Sequence, residues 1–295
     1  MHKGVGVFSD IHGNRRAFAA IVQAVRERRD LDWYCLGDVV GWFFRPVECV
    51  LMLKALVDEG LVKGVVAGNH DLMALGAFTD NAQRIDRMLA TAFSAGMLEQ
   101  CHEARDFLRS FESRTFSGST WIAAHHSPFG LPAAGEHANE SHYGHIDADL
   151  PAQLPAWASC PRSVVLTGHG HVACVYGLPI DARTPWPEDV VTWRPGRDDE
   201  RTTMELRPDR RYWVRNGTVG GPYYDGRVGA HWTEYRPGES ITLHRLQYDT
   251  SELEADILAH HDLIAYRDTW QKKVLPALRA ARAQAAEARS ASLSR

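Results

Sequence analysis

The chain is poor in cysteine, carries no long apolar run and has no excess of basic charge. Its five cysteines, Cys35, Cys49, Cys101, Cys160 and Cys174, are odd in number and scattered, with no C-x-x-C pair. That usage argues against a disulfide framework or a thiolate zinc site, and for reduced thiols in a cytoplasmic setting. No apolar stretch approaches the ~20 residues needed to cross a bilayer. Met1-His2-Lys3 leads straight into the first apolar run, which leaves no room for a signal peptide. A formal net charge of -4 over 295 residues excludes a protein that coats nucleic acid by bulk basicity. The expectation is a soluble, cytoplasmic protein with no membrane partner. What the chain does have is a hydrophobic fraction of 44%, ample for a sizeable core.

The first half of the chain alternates between short β-branched runs and amphipathic stretches. Val5 to Phe8, Asp32 to Leu36 and Leu61 to Ala67 read as buried strands. Between them, Phe18, Ile21, Val22 and Val25 recur at helical spacing, as do Val50, Leu53, Leu56 and Val57 after a Pro46 suited to a first helical turn. Strand, helix, strand, helix, strand predicts a parallel sheet with helical crossovers. In such sheets functional groups gather outside the carboxyl ends of the strands. Residues 72 to about 112 read as helical, with Leu72, Leu75, Ile85, Leu89, Phe93, Leu98, Phe107 and Leu108 buried. A hairpin follows around Ser117-Gly118-Ser119, then a loop over 129–162 with one short helix, then a strand over Ser163 to Thr167. From Val172 to about Gln247 the pattern is β, and from Ser251 onward it is helical. One domain over residues 1–295 is expected, with a core to about 249 and a C-terminal helical extension over 250–295.

Each strand end carries groups able to bind a cation. Asp10 and His12 follow the first strand, Asp38 the second, Asn69 and His70 the third, His125 the hairpin, and His169 and His171 the strand ending at Thr167. If the first strand is still extended at its end, its period of two points Asp10 and His12 to one side. Two divalent ions roughly 3.5–4 Å apart need a shared carboxylate and about three further protein ligands each. Two carboxylates, one amide oxygen and five imidazoles fit that need with one residue to spare. Nitrogen and oxygen donors without thiolates suit Mn, Fe, Zn, Ni or Co.

Taken in order, Asp10-x-His12, Gly37-Asp38, Gly68-Asn69-His70-Asp71, His125 and Gly168-His169-x-His171 resemble the motifs of the calcineurin-like metallophosphoesterases. Within that superfamily the chain is similar to the compact bacterial and archaeal phosphodiesterase branch, from the first strand to about Asp249. The resemblance implies a four-layer α/β/β/α sandwich and two divalent ions, with manganese favoured. It implies Asp10, His12 and His171 on one ion, Asn69, His125 and His169 on the other, and Asp38 between them. A hydroxide bridging the ions would attack phosphorus, His70 would serve the leaving group, and Asp71 would orient His70 by accepting its ring proton. The implied activity is phosphodiester hydrolysis on a small-molecule or nucleotide substrate. Phosphomonoesters, phosphoproteins and dinucleoside polyphosphates remain alternatives, as does a non-catalytic scaffold that keeps the fold.

The chain also departs from the family's pattern. Where relatives carry Gly-Tyr-Gly-Pro, it has Gly41-Trp42-Phe43-Phe44-Arg45-Pro46, and Gly170 replaces the usual Thr between the last two histidines. Phe44 and Arg45 could form a stacking and phosphate-binding rim, or a loop packed against the next helix. Asn14 and Arg15, at a helix start, could meet an anion, or Asn14 could simply cap the helix. His126 could touch the site but is expected, by strand alternation, to face away from His125. His137, His142 and His145 could form a lid donor or an accessory metal site, against solvated loop positions.

Overall fold

The computed structural model of the protein describes residues 3–77, 85–111, 115–129, 146–182, 184–260, 270 and 273–293. The opening alternation is present as β1 (Gly4–Phe8), α1 (Arg15–Glu27), β2 (Leu31–Cys35), α2 (Pro46–Asp58) and β3 (Val62–Val65). The short α3 (Asn69–Ala74) follows at once, then α4 (Ile85–Glu99), α5 (His102–Arg109) and the hairpin β4 (Phe116–Ser117) with β5 (Trp121–Ala124). The remaining elements are α6 (Ile146–Ser159), β6 (Val164–Thr167), β7 (Cys174–Pro179), β8 (Val191–Trp193), β9 (Arg201–Glu205), β10 (Arg210–Arg215), β11 (Ala230–Arg236), β12 (Ser240–Leu246), α7 (Ser251–Ala259) and α8 (Leu275–Leu293).

Two six-stranded mixed sheets result, in the orders β3-β2-β1-β11-β12-β9 and β4-β5-β6-β10-β7-β8. The strands β1, β2 and β3 are parallel, and β11 closes on β1 antiparallel with Val5 opposite Tyr235. Alternation along β1 explains why it is apolar throughout. Val5 and Val7 enter the layer between the sheets with Leu166, Val175, Val214 and Leu243, whereas Phe8 joins the helical side with Phe18, Ile21 and Leu53. On the outer face of the second sheet, Leu154 and Trp157 of α6 pack on Val165, Tyr176 and Trp213. Helices, sheet, sheet, helix make the expected four layers, with α1, α2, α4 and α5 on the first sheet. No helix among the described residues is long and apolar enough to cross a membrane.

Two local expectations are corrected, and a third lies outside the described residues. Ile85 and Leu89 are exposed, because α4 turns inward the face bearing Ala90, Ser94 and Leu98. The short helix expected over 129–162 is the fourteen-residue α6, which holds Pro151 and Pro155 in its interior. Each interior proline removes a helical hydrogen bond, while Leu154 and Trp157 bury their side chains against the sheet. His137, His142 and His145 lie outside the described residues.

Candidate metal centre

The strand ends converge because β1 and β2 are in-register neighbours, with Phe8 opposite Cys35. Their following loops run side by side: the N–H groups of Asp10, His12 and Gly13 donate to the carbonyls of Gly37, Asp38 and Val39, each at 2.9 Å. β1 itself ends at Phe8, so Asp10 and His12 do not share a side through strand alternation. Both have left-handed backbone, φ 58 and 51, and the turn brings their side chains together. Asp38, His169 and His171 are left-handed as well. These five are the non-glycine residues with positive φ among the described residues. Such conformations are costly for residues with a Cβ and persist where the surroundings over-determine them.

Donor atoms of Asp10, His12 and His171 lie within 4.8 Å of one another, and so do those of Asp38, His125 and His169. In the first group, His12 Nε2 and His171 Nε2 are 3.0 Å apart and His171 Nε2 is 3.3 Å from Asp10 Oδ1. In the second, His125 Nε2 is 3.3 Å from Asp38 Oδ2, and Asn69 Oδ1 lies 3.1 Å from His125 Nε2 and 3.0 Å from His169 Nδ1. Asp38 Oδ2 is also 3.7 Å from His12 Nε2, which puts its carboxylate between the groups.

The outer ring nitrogens decide what the inner ones offer. Nδ1 of His12, His125 and His171 sits 3.2, 2.6 and 3.1 Å from the carbonyls of Val40, Leu36 and Pro222. A carbonyl only accepts, so each Nδ1 carries a proton, and a ring that holds that proton alone turns a lone pair on Nε2 inward. Two such lone pairs 3.0 Å apart repel unless a cation lies between them. The electrostatics ask for the same thing. Burial disfavours a charge on His125, yet the Asp38 carboxylate outweighs it and raises the imidazole to about 9. Burial would likewise raise Asp38, but His125, His70 and His12 hold it well below the usual carboxylate range. The pair therefore binds a proton tightly, and a metal cation would supply positive charge in the same place. Burial pushes His12 and His169 down, the latter helped by His125 and His126, which keeps both neutral and able to ligate. The residues present fit two divalent ions.

Further contacts hold the donors in place. Ser9 Oγ donates to Asp10 Oδ2 at 2.5 Å, and Asn216 Nδ2 to Ser9 Oγ at 3.4 Å. Thr218 Oγ1 donates to the Asp10 carbonyl at 2.9 Å, and the His70 N–H to Asp38 Oδ1 at 2.8 Å. Trp42, whose ring lies 5.3 Å from that of His70, was not expected at the site. A lone aromatic in a loop has no local signature of this kind.

Several expected roles change. Asp71 does not meet the His70 ring; its carboxylate accepts the N–H groups of Asp38, Val39, Val40 and Gly68 at 2.8–3.1 Å. Burial, then the charge of Asp38, raises Asp71 to about 7. His70 is buried too, its imidazole is lowered to about 4 chiefly by burial, and its Nδ1 has no hydrogen-bond partner among the described residues. Asn14 caps α1 by accepting the Ala17 N–H at 3.2 Å and donates to the Gly220 carbonyl at 2.9 Å, so it is not free to bind an anion. Arg15 is paired with Glu252, and Arg45 is paired in a two-pronged contact with Asp256 at 2.9 and 2.7 Å. Phe44 is buried and stacks on His260 at 4.2 Å. Asn14 and Phe44 are thus taken up by the fold, and Arg15 and Arg45 are ion-paired to α7. His126 lies beyond the end of β5, where alternation no longer applies, and its ring meets His169 edge-on at 5.2 Å.

A family model described as calcineurin-like phosphoesterase matches residues 4–216. A stretch of 72 residues is 38% identical to an uncharacterized protein of Methanocaldococcus jannaschii, covering 24% of this chain and only 28% of that protein. A metallophosphoesterase structure from Sphaerobacter thermophilus superposes with a TM-score of 0.64 at 23% identity, over 88% of this chain and 95% of that one. A hypothetical protein of Pyrococcus horikoshii gives 0.57 at 17% identity, over 88% and 96%. Both share the fold described above.

Proposed function

The chain belongs to the calcineurin-like phosphoesterase family, and from that premise we propose that it is a dinuclear metal-dependent phosphodiesterase acting on small or nucleotide phosphodiesters. The observation that carries this reading is the pair of donor groups, Asp10–His12–His171 and Asp38–His125–His169, joined through the Asp38 carboxylate. Asp10, His12 and His171 would hold one ion, Asn69, His125 and His169 the other, and Asp38 both. Two divalent ions there, with manganese favoured and Fe, Zn, Ni or Co compatible, would supply Lewis-acid stabilisation of charge developing at phosphorus.

The chain's own residues do the rest. His12, His125 and His171 keep a fixed tautomer by donating Nδ1–H to carbonyls. His70 is neutral at pH 7 and offers a ring N–H to the leaving oxygen of the ester. Asp71 is a positioning residue: it holds the backbone of the Asp38 loop, and so the Asp38 carboxylate. The net charge of -4 favours a small substrate over nucleic acid, and the cysteine usage favours the cytoplasm. We read the whole chain as one such domain with a helical extension after about residue 250.

The deciding experiment strips the protein of metal, restores Mn, Fe, Zn, Ni, Co or Mg, and assays bis(4-nitrophenyl) phosphate against 4-nitrophenyl phosphate. Metal-dependent turnover of the diester above the monoester is the expected result. Preference for the monoester would overturn the diester assignment, and no turnover with about two ions bound per chain would overturn the enzyme.

A further inference from the structure

The helices after residue 250 lie outside the stretch matched by the family, yet they return to the start of α1 and the loop that follows β2. Four links hold them there. Arg15 and Arg16 pair with Glu252, Arg45 grips Asp256, Phe44 stacks on His260, and Leu253, Ile257, Val274, Leu275 and Leu278 bury their side chains with Trp42, Phe43 and Phe44. At the centre of this cluster is Trp270, 1% exposed. Its ring meets Trp42 edge-on, with centroids 5.5 Å apart at 83°, and lies 4.8 Å from Phe43.

Trp42 in turn faces the site. Its ring is 5.3 Å from that of His70, whose other neighbour is the His12 ring at 4.8 Å. The imidazole of His70 thus stands in a slot between an indole and a candidate metal ligand. The slot floor is backbone: a Cβ on Gly41, at φ +128, would lie 2.5 Å from His70 Nδ1 and 3.0 Å from His12 Nδ1. Trp42 thus stands between Trp270 and His70, with ring centroids 5.5 Å from the first and 5.3 Å from the second.

We propose that Trp270 is a positioning residue which acts through Trp42 to aim His70 at the leaving group, so that the C-terminal extension completes the active site. This rests on the role assigned to His70 above. A residue that merely fills core would, when truncated, lower stability and slow all substrates alike. A residue acting through His70 has a different signature, because help to the leaving oxygen counts most when that oxygen is basic.

The test compares bis(4-nitrophenyl) phosphate with diphenyl phosphate in wild type, Trp270→Leu, Trp270→Phe, His70→Gln and the double variant Trp270→Leu/His70→Gln. Trp270→Leu should lower kcat about tenfold on the phenyl ester and only about twofold on the nitrophenyl ester, with KM and bound metal unchanged and Trp270→Phe recovering most of the loss. In the His70→Gln background the same change should add little. Equal losses on both esters, or additive losses in the double variant, would overturn the proposal. A second readout does not need turnover. In metal-free protein, the His70 ring 1H–13C cross-peak, assigned by its disappearance in His70→Gln, should shift in Trp270→Leu, since the indole ring current changes. An unmoved cross-peak overturns the proposed coupling even if the protein is a phosphoesterase. A moved cross-peak in a protein that hydrolyses no ester supports the coupling and removes the function assigned to His70.

Discussion

Asp71 Oδ2 accepts the backbone N–H of Asp38 at 2.8 Å. The residue after His70 thereby anchors the residue whose side chain lies between the two donor groups. Both carboxylates are buried, and the contact runs from the first turn of α3 to the loop after β2. Asparagine at position 71 would turn an NH2 toward backbone N–H groups that now meet a carboxylate oxygen. Asp71→Asn should therefore cost about 2–4 kcal/mol in urea unfolding and loosen metal. Unchanged stability with lowered turnover would instead return Asp71 to the role of orienting the His70 ring.

Asp38→Asn is expected to empty both ion positions, because Asp38 Oδ2 lies within reach of ligands from each group, 3.3 Å from His125 Nε2 and 3.7 Å from His12 Nε2. Asp10→Asn should weaken one position only. Metal content per chain after dialysis against a weak chelator separates the two; equal losses would contradict the shared role of Asp38.

His70 also lies within a donor group formed with His12 and Asp38. As a leaving-group residue, His70→Gln should reduce kcat by about 10²–10⁴-fold while the ions stay bound. Loss of metal in proportion to activity would make His70 a ligand.

Gly170 is required by its neighbour. A Cβ there would sit 2.2 Å from Cδ of Arg215, a buried side chain whose Nε donates to the Val172 carbonyl at 2.7 Å. Restoring the family's threonine, Gly170→Thr, should destabilise by about 1–3 kcal/mol. Arg215→Ala should relieve part of that cost in the double variant, a coupling that thermal unfolding of the four proteins would measure.

Burial holds His231 down to about 4, against the partial pull of Asp225. The folded protein keeps this imidazole neutral, whereas the unfolded chain takes up a proton below about pH 6.5. Its contribution is thus fully present above that pH and is lost as pH falls toward 4. Between pH 7.5 and 5.5 the loss is about 1.4 kcal/mol. The pH slope of urea stability should be shallower by that amount in His231→Gln; identical slopes would contradict the assignment.

Much of the first half was readable in the chain itself. Short apolar runs ending in glycine turns placed Asp10, Asp38 and Asn69 at the ends of three parallel strands, since strand and turn preferences are local. The spacing of His169 and His171 told of a site for the same reason. The partners of Arg15, Arg45, Phe44 and Asp71 were not legible. Glu252, Asp256 and His260 are more than 200 residues from the arginines and the phenylalanine they meet, and Asp71 chose backbone N–H groups over a neighbouring ring. By itself the sequence determined which residues could bind metal and which elements would carry them, because both follow from side-chain chemistry and short-range periodicity. Only the tertiary structure decided which polar groups are left for a ligand and which are spent on the fold, because that depends on what packing brings within 3 Å from distant parts of the chain.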